Sequence, residues 1–143
     1  MNVAQILKRK GRDVLTTAPH NLLRDAAKAL GERRVGAVVV ADGAGRVLGI
    51  LSERDIVRAI GAGGGDALSE AVSQHMTANP TTVGEATEVD ELMQVMTTGR
   101  FRHLPVVEGG RLVGIVSIGD IVKHRVDELH QERDSLREYI ASA

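Results

Sequence analysis

The sequence predicts an α/β fold of the α+β kind: two βαββα repeats related by a pseudo-twofold axis, followed by a long C-terminal helix. Two observations predict it, an internal repeat and a periodicity that alternates between strand and helix within each copy. Residues 46–58 read RVLGILSERDIVR and residues 111–123 read RLVGIVSIGDIVK. Of these thirteen pairs, seven are identical, three are apolar exchanges and one is Arg for Lys. The remaining two, Glu53/Ile118 and Arg54/Gly119, are the real differences.

The match extends upstream. Gly36 to Ala41 aligns with Arg102 to Val107, and the stripe Leu23, Ala26, Ala27, Leu30 aligns with Val89, Leu92, Met93, Met96. Apolar positions at i, i+3, i+4 and i+7 over residues 22–33 mark an amphipathic helix. The β-branched run 36–41, a Gly-containing turn and the apolar run 46–51 read as a hairpin whose nearly continuous strands predict burial on both faces. Residues 53–60 form the next helix, which Gly61 to Gly65 should break, and residues 67–76 a short connecting helix. The second copy supplies strands at 102–107 and 111–116. The organisation is thus an N-terminal helix (1–10), repeat one (11–66), repeat two (67–125) and a helical extension (126–143). A unit of about 60 residues is marginal alone, so the two should pack face to face.

From Gly119 a helical pattern runs to about Ile140. Val122, Val126, Leu129, Leu136 and Ile140 form a heptad-like seam interrupted at Arg133. Two readings stand: the first half of the seam packs on its own module, and the second half contacts a partner subunit.

Composition narrows the function. With 43% hydrophobic and 26% charged residues the chain is globular rather than disordered. A formal net charge of −1 supplies no field towards nucleic acid or an anionic membrane. One Phe, one Tyr and no Trp leave almost nothing on which bases could stack. The absence of cysteine excludes disulfides, thiolate zinc sites and a cysteine nucleophile, and fits a cytoplasmic protein. No apolar run approaches the roughly 20 residues that span a bilayer, and Met1–Lys10 lacks the apolar stretch of a secretory signal.

The informative string is apolar-Gly-Ile-apolar-Ser-x-x-Asp, present as Leu48 to Asp55 and Val113 to Asp120. One reading is structural: Ser at a helix N-cap with a carboxylate three residues on satisfies orphan N–H groups. The other is functional: a strand running into a helix N-terminus offers N–H groups and a hydroxyl to an anion, and the carboxylate can accept hydrogen bonds from a cis-diol. Phosphate and ribose together suit that combination.

This string, the repeat length, Arg102-His103-Leu104-Pro105-Val106-Val107 and the linker element His75-Met76-Thr77 resemble a pair of cystathionine-β-synthase (CBS) domains, a Bateman module. The resemblance covers roughly residues 10–125, and the nearest likeness is to stand-alone bacterial two-CBS proteins with a Ser-Glu-Arg-Asp element. It implies a regulatory module, a homodimer, and an adenine ligand (AMP, ADP, ATP, S-adenosylmethionine or NAD(H)) in two clefts between the repeats. Carried over by position, cleft one combines Ser117 and Asp120 with Thr16, Val35, Gly36 and Ala37. Cleft two combines Ser52, Arg54 and Asp55 with Thr82, Phe101, Arg102 and His103. Cleft two gathers Arg54, Arg102 and His103 where cleft one has Gly119, Gly36 and Ala37, so phosphate-rich ligands should prefer cleft two.

An enzyme is not expected. No nucleophile–base–orienter set is evident, the five His form no i, i+4 pair for a metal, and Gly61–Gly65 lacks the Lys-Ser or Lys-Thr of a P-loop. Gly43, Gly45 and Gly49 lie in a hairpin, not at a strand–helix junction. The competing reading is a dimeric interaction module whose clefts stay empty, and any effector protein is left unidentified by the sequence.

Overall fold

A computed structural model of the chain describes residues 1–142; the last residue of the predicted extension, Ala143, lies outside them. The elements in order are α1 (Val3–Lys10), β1 (Thr16–Thr17), α2 (Leu23–Arg33), β2 (Ala37–Ala41), β3 (Val47–Ser52), α3 (Glu53–Gly63), β4 (Thr77–Ala78), α4 (Val89–Gly99), β5 (His103–Glu108), β6 (Arg111–Ser117) and α5 (Ile118–Ser142). Two short 3-10 turns, Gly64–Ser69 and Val72–Gln74, lie between α3 and β4. The fold is the mixed α/β repeat expected, with a long C-terminal helix.

Each repeat is built on an antiparallel hairpin. In the first, Ala37 faces Ser52 and Val39 faces Ile50; in the second, His103 faces Ser117 and Pro105 faces Ile115. Both hairpins shift register at the same repeat position, Val40/Ala41 and Val106/Val107. The strand before the first helix pairs in parallel with the hairpin in both copies, as Thr16 with Val39 and as the single bridge Val83 with Val106. β2 is buried on both faces from Ala37 to Val40, whereas β3 buries only Gly49 and Leu51 fully, so the expectation of two doubly buried strands holds for β2 alone.

The repeats are interlocked. Val3, Ile6 and Leu7 of α1 pack into the second repeat's core with Val83, Leu92, Leu104, Val106 and Val116. Conversely Ala67 and Val72, which follow repeat one, pack into the first core with Leu23, Val38, Val40 and Leu51. Matching backbone bonds fasten the two crossings: the N–H of Val3 donates to Thr87 O and that of Val89 to Met1 O, while the N–H of Val72 donates to Asn21 O and that of Leu23 to Glu70 O. The motif glycine is the crossing point. A Cβ on Gly49 would lie 2.9 Å from the Thr77 carbonyl oxygen and 2.5 Å from Met76 Sδ; one on Gly114 would lie 2.8 Å from the Leu7 methyls.

Two expectations change. Gly61–Gly65 does not break α3 at once: the helix runs to Gly63 and passes into a 3-10 turn at Gly64, whose φ of +68° suits glycine. The predicted 67–76 helix is the two 3-10 turns joined by extended residues. In α5 the inward side chains are Ile121 and His124; Val122, Val126, Leu129, Leu136 and Ile140 are all exposed on the single chain, so no part of the seam packs on its own module.

Candidate functional site

The site grows from the junction of β3 and α3. Ser52 is extended, at φ −101° and ψ 163°, and caps α3: its Oγ accepts from the Asp55 N–H at 3.3 Å. Asp55 Oδ2 accepts from the Ser52 N–H at 2.8 Å and from the Ser52 hydroxyl at 3.1 Å. The capping role is therefore real. It engages Oδ2 and gives Oδ1 no hydrogen bond among the described residues, so a diol on the carboxylate and an anion at the α3 N-terminus could be held side by side. The second copy repeats the pattern, with Asp120 Oδ2 accepting from the Ser117 N–H at 2.8 Å and Ser117 Oγ from the Asp120 N–H at 3.2 Å.

Across the junction lies the start of β5. Arg100 ends α4 in the left-handed region (φ 56°, ψ 35°), as Arg34 ends α2 at the matching position (φ 55°, ψ 45°). This turn directs the following residues, Phe101 to His103, back towards the first repeat. A cavity of about 230 Å³ opens between the two, lined by Ser52, Glu53, Arg54 and Asp55 on one side and Arg100, Phe101, Arg102 and His103 on the other, with Gly36, Ile50, Arg58 and Thr77 closing it. Four guanidinium groups face two carboxylates. Among the described residues none of the four makes an ion pair within 4.0 Å, so their charge is available to an anion.

His103 spans the join. A Cβ on Gly36 would lie 3.3 Å from its Cε1 and Nε2. Burial holds the imidazole below its ordinary pKa, reinforced by the Lys10 and Arg102 cations and opposed by Asp120 and Glu53.

Of the residues singled out in the sequence, the cavity gathers Gly36, Ser52, Arg54, Asp55, Phe101, Arg102 and His103. Thr82, expected here, is exposed in the loop before Val83 and does not line the cavity, whereas Gly36, expected in cleft one, does. Thr16, exposed in β1, and Ala37, buried in β2 opposite Ser52, line neither this cavity nor the one that holds Asp120. Val35 and Gly36 border an outer groove between α2 and α3. The lining residues that sequence reasoning did not reach are Ile50, Glu53, Arg58, Thr77 and Arg100. Arg58 lies one turn beyond Arg54, and Thr77 belongs to the linker element, which are the signals that would have found them.

Around Ser117 and Asp120 the arrangement differs. Lys10 Nζ donates to Asp120 Oδ2 at 2.6 Å and to the Ile115 carbonyl at 2.7 Å, and Arg9 pairs with Asp127 at 2.6 Å. A separate cavity of about 390 Å³ lies between α1 and α5, lined by Ile6, Arg9, Lys10, Asp120, Lys123, His124 and Asp127.

Two interlocked βαββ repeats, each ending in a Ser-x-x-Asp helix cap, define the class of fold. The CBS domain family matches residues 3–62 and 72–127, and the chain belongs to that family as a tandem pair. It is 49% identical to the CBS-domain protein ATU1752 from Agrobacterium tumefaciens, with a TM-score of 0.84, covering 87% of this chain and 99% of that one. The mitochondrial CBS domain-containing protein CBSX3 from Arabidopsis thaliana is 36% identical over 146 residues, 96% of this chain and 71% of that protein. Two more distant pairs were solved with ligands. A CBS domain protein from Pyrobaculum aerophilum is complexed with AMP (28% identity, TM-score 0.76, 84% of this chain, 89% of that one). The CBS domain pair of protein MJ0100 is complexed with 5′-methylthioadenosine and S-adenosyl-L-methionine (26% identity, TM-score 0.80, 90% of this chain, 98% of that one). Among the described residues no helix is long and apolar enough to cross a membrane.

Proposed function

We propose that this chain is a regulatory, ligand-sensing module that binds an adenine nucleotide (AMP, ADP, ATP or NAD(H)) in cleft two, without catalysing a reaction on it. One observation carries the reading: four unpaired arginines converge with a Ser-x-x-Asp helix cap on one cavity between the repeats. The ribose diol donates to Asp55. The phosphates lie towards the α3 N-terminus, Arg54 and Arg102, where dipole and charge favour an anion. The adenine ring packs towards Ile50 and Phe101. The AMP and S-adenosyl-L-methionine complexes of related pairs support an adenosine-type ligand.

The working unit is a cytoplasmic homodimer that passes occupancy to an effector protein. Support for the dimer comes from the exposed apolar positions Val57 and Ile60 on α3 and Ile118 and Val122 on α5, of which Val57 and Val122 hold matching places in the two repeats. The same surface favours a second reading, a dimeric interaction module whose clefts stay empty. Mass spectrometry of nucleotides released from the purified protein, followed by calorimetric titration with AMP, ATP and NADH, separates the two. The nucleotide reading expects saturable binding of at least one; no heat with any of them, and no released nucleotide, leaves the interaction module.

A further inference from the structure

We infer that Lys10 makes the two clefts unequal: its ammonium occupies cleft one and closes it to a ribose diol, leaving cleft two as the single adenosine site of each chain. The inference rests on the nucleotide reading above and adds a determinant that the repeat motif does not contain. In the first repeat, Ile50 and Asp55 line the open cavity. Their repeat counterparts are Ile115 and Asp120, and Lys10 Nζ bonds both, the carbonyl at 2.7 Å and the carboxylate at 2.6 Å. Asp55 lines its cavity with no cation bonded to it, whereas Asp120 lines the cavity between α1 and α5 with the Lys10 ammonium on its carboxylate.

The difference comes from the crossing segments. The one that packs on the first repeat leaves its 3-10 turn for β4 and places Thr77 at the cleft. The one that packs on the second repeat is a full helix, α1, whose last residue is Lys10. Val3, Ile6 and Leu7 anchor α1 in the core, and the Arg9–Asp127 pair fixes its end, so the lysine is tethered beside its acceptors. A ribose diol reaching Asp120 must compete with that tethered ammonium for the carboxylate. Asp120 Oδ2 already accepts from Lys10 and from the Ser117 N–H, and a neutral diol cannot replace the ammonium's charge. Both partners are shielded, with side-chain exposures of 30% for Lys10 and 21% for Asp120, so the pair is stronger than a fully exposed one.

Equilibrium dialysis of the full-length protein against AMP, with calorimetry for affinity, tests the assignment. The wild type should bind one AMP per chain, and Asp55→Ala should weaken that site roughly ten- to 150-fold. Lys10→Ala should bind two, the second through a cleft one whose affinity has risen by about tenfold or more. That second site should vanish in Lys10→Ala/Asp120→Ala and survive in Lys10→Ala/Asp55→Ala, while Lys10→Arg should keep one. Lys10→Gln, which retains the side-chain length, serves the same purpose if the alanine variant does not fold. Two AMP per chain in the wild type, or one site unchanged in both uncharged variants, overturns the inference and leaves the nucleotide reading standing. Loss of the only site in Lys10→Ala also overturns it, since Lys10 would then be a ligand contact. No AMP bound by any variant overturns the nucleotide reading itself, and the inference with it.

Discussion

Replacing Asp55 by alanine separates the structural and functional roles of one carboxylate. In the free protein Asp55 supplies the reciprocal arm of a capping box, accepting from the Ser52 N–H at 2.8 Å. The other arm, Ser52 Oγ accepting from the Asp55 N–H, survives the substitution. Losing one arm of a cap costs about 0.5–1 kcal/mol, a melting shift of a few degrees for a domain of this size. Losing the ribose contact removes hydrogen bonds to a charged acceptor, about 1.5–3 kcal/mol, or roughly ten- to 150-fold in affinity. Asp55→Ala should therefore remain folded and bind AMP weakly. Asp120→Ala should show the opposite balance. It loses the same cap arm and also the Lys10 pair, so stability falls further while AMP affinity barely changes. Differential scanning fluorimetry alongside calorimetric titration reads both quantities. An Asp55→Ala protein with a large drop in melting temperature and unchanged AMP affinity would refute the reasoning and reduce the motif to a helix cap.

Four further outcomes follow from the geometry. Arg54→Ala combined with Arg102→Ala should cost more affinity for ATP and NADH than for adenosine, with the gap narrowing as salt rises because both arginines are exposed; an equal loss for all ligands contradicts charge reading. His103 has a lowered pKa in the folded chain, so the unfolded chain takes the proton more readily. Its stability contribution is full above about pH 6.5 and is lost as the pH falls through that value towards the folded pKa. A bound phosphate beside the ring reverses that preference, so AMP titrations near pH 6 in buffers of different ionisation enthalpy should report proton uptake that His103→Gln removes. Gly49→Ala, whose new Cβ meets a backbone carbonyl at 2.9 Å, and Gly114→Ala, whose new Cβ meets the buried Leu7 side chain at 2.8 Å, should each destabilise by about 1–3 kcal/mol, measured by urea unfolding. Val57→Asp and Val122→Asp, at repeat-matched exposed positions, should leave the melting temperature within a few degrees yet shift sedimentation to the monomer; persistence of the dimer would place its interface elsewhere.

Residues whose role is set by local rules were legible in the sequence. The cap pairs Ser52/Asp55 and Ser117/Asp120, the hairpins and the inward stripes of α2 and α4 all follow from short-range periodicity and capping chemistry, and the repeat supplied their register. The interlock was not legible, because α1 and the turn at Val72–Gln74 carry apolar residues that would suit either core equally. Which repeat they cover is decided by packing across the motif glycines. For the same reason nothing in the sequence sets Lys10 apart from other lysines, since its bond to Asp120 joins residues 110 positions apart. Arg58 and Arg100 escaped notice because their approach to the cavity depends on the meeting of two repeats. The glycine run after α3 misled in the other direction: glycine weakens a helix by only about 1 kcal/mol per residue, and burial of Ala59 and Ala67 on either side is enough to hold the turns together.

A crystal structure of the protein grown with AMP tests the central claim most directly. The account predicts AMP in cleft two alone, its ribose hydroxyls within hydrogen-bond distance of Asp55 and its phosphate against the α3 N-terminus and Arg54 or Arg102, while Lys10 stays on Asp120. AMP seated on Asp120 with Lys10 displaced and the Asp55 cleft empty would contradict it.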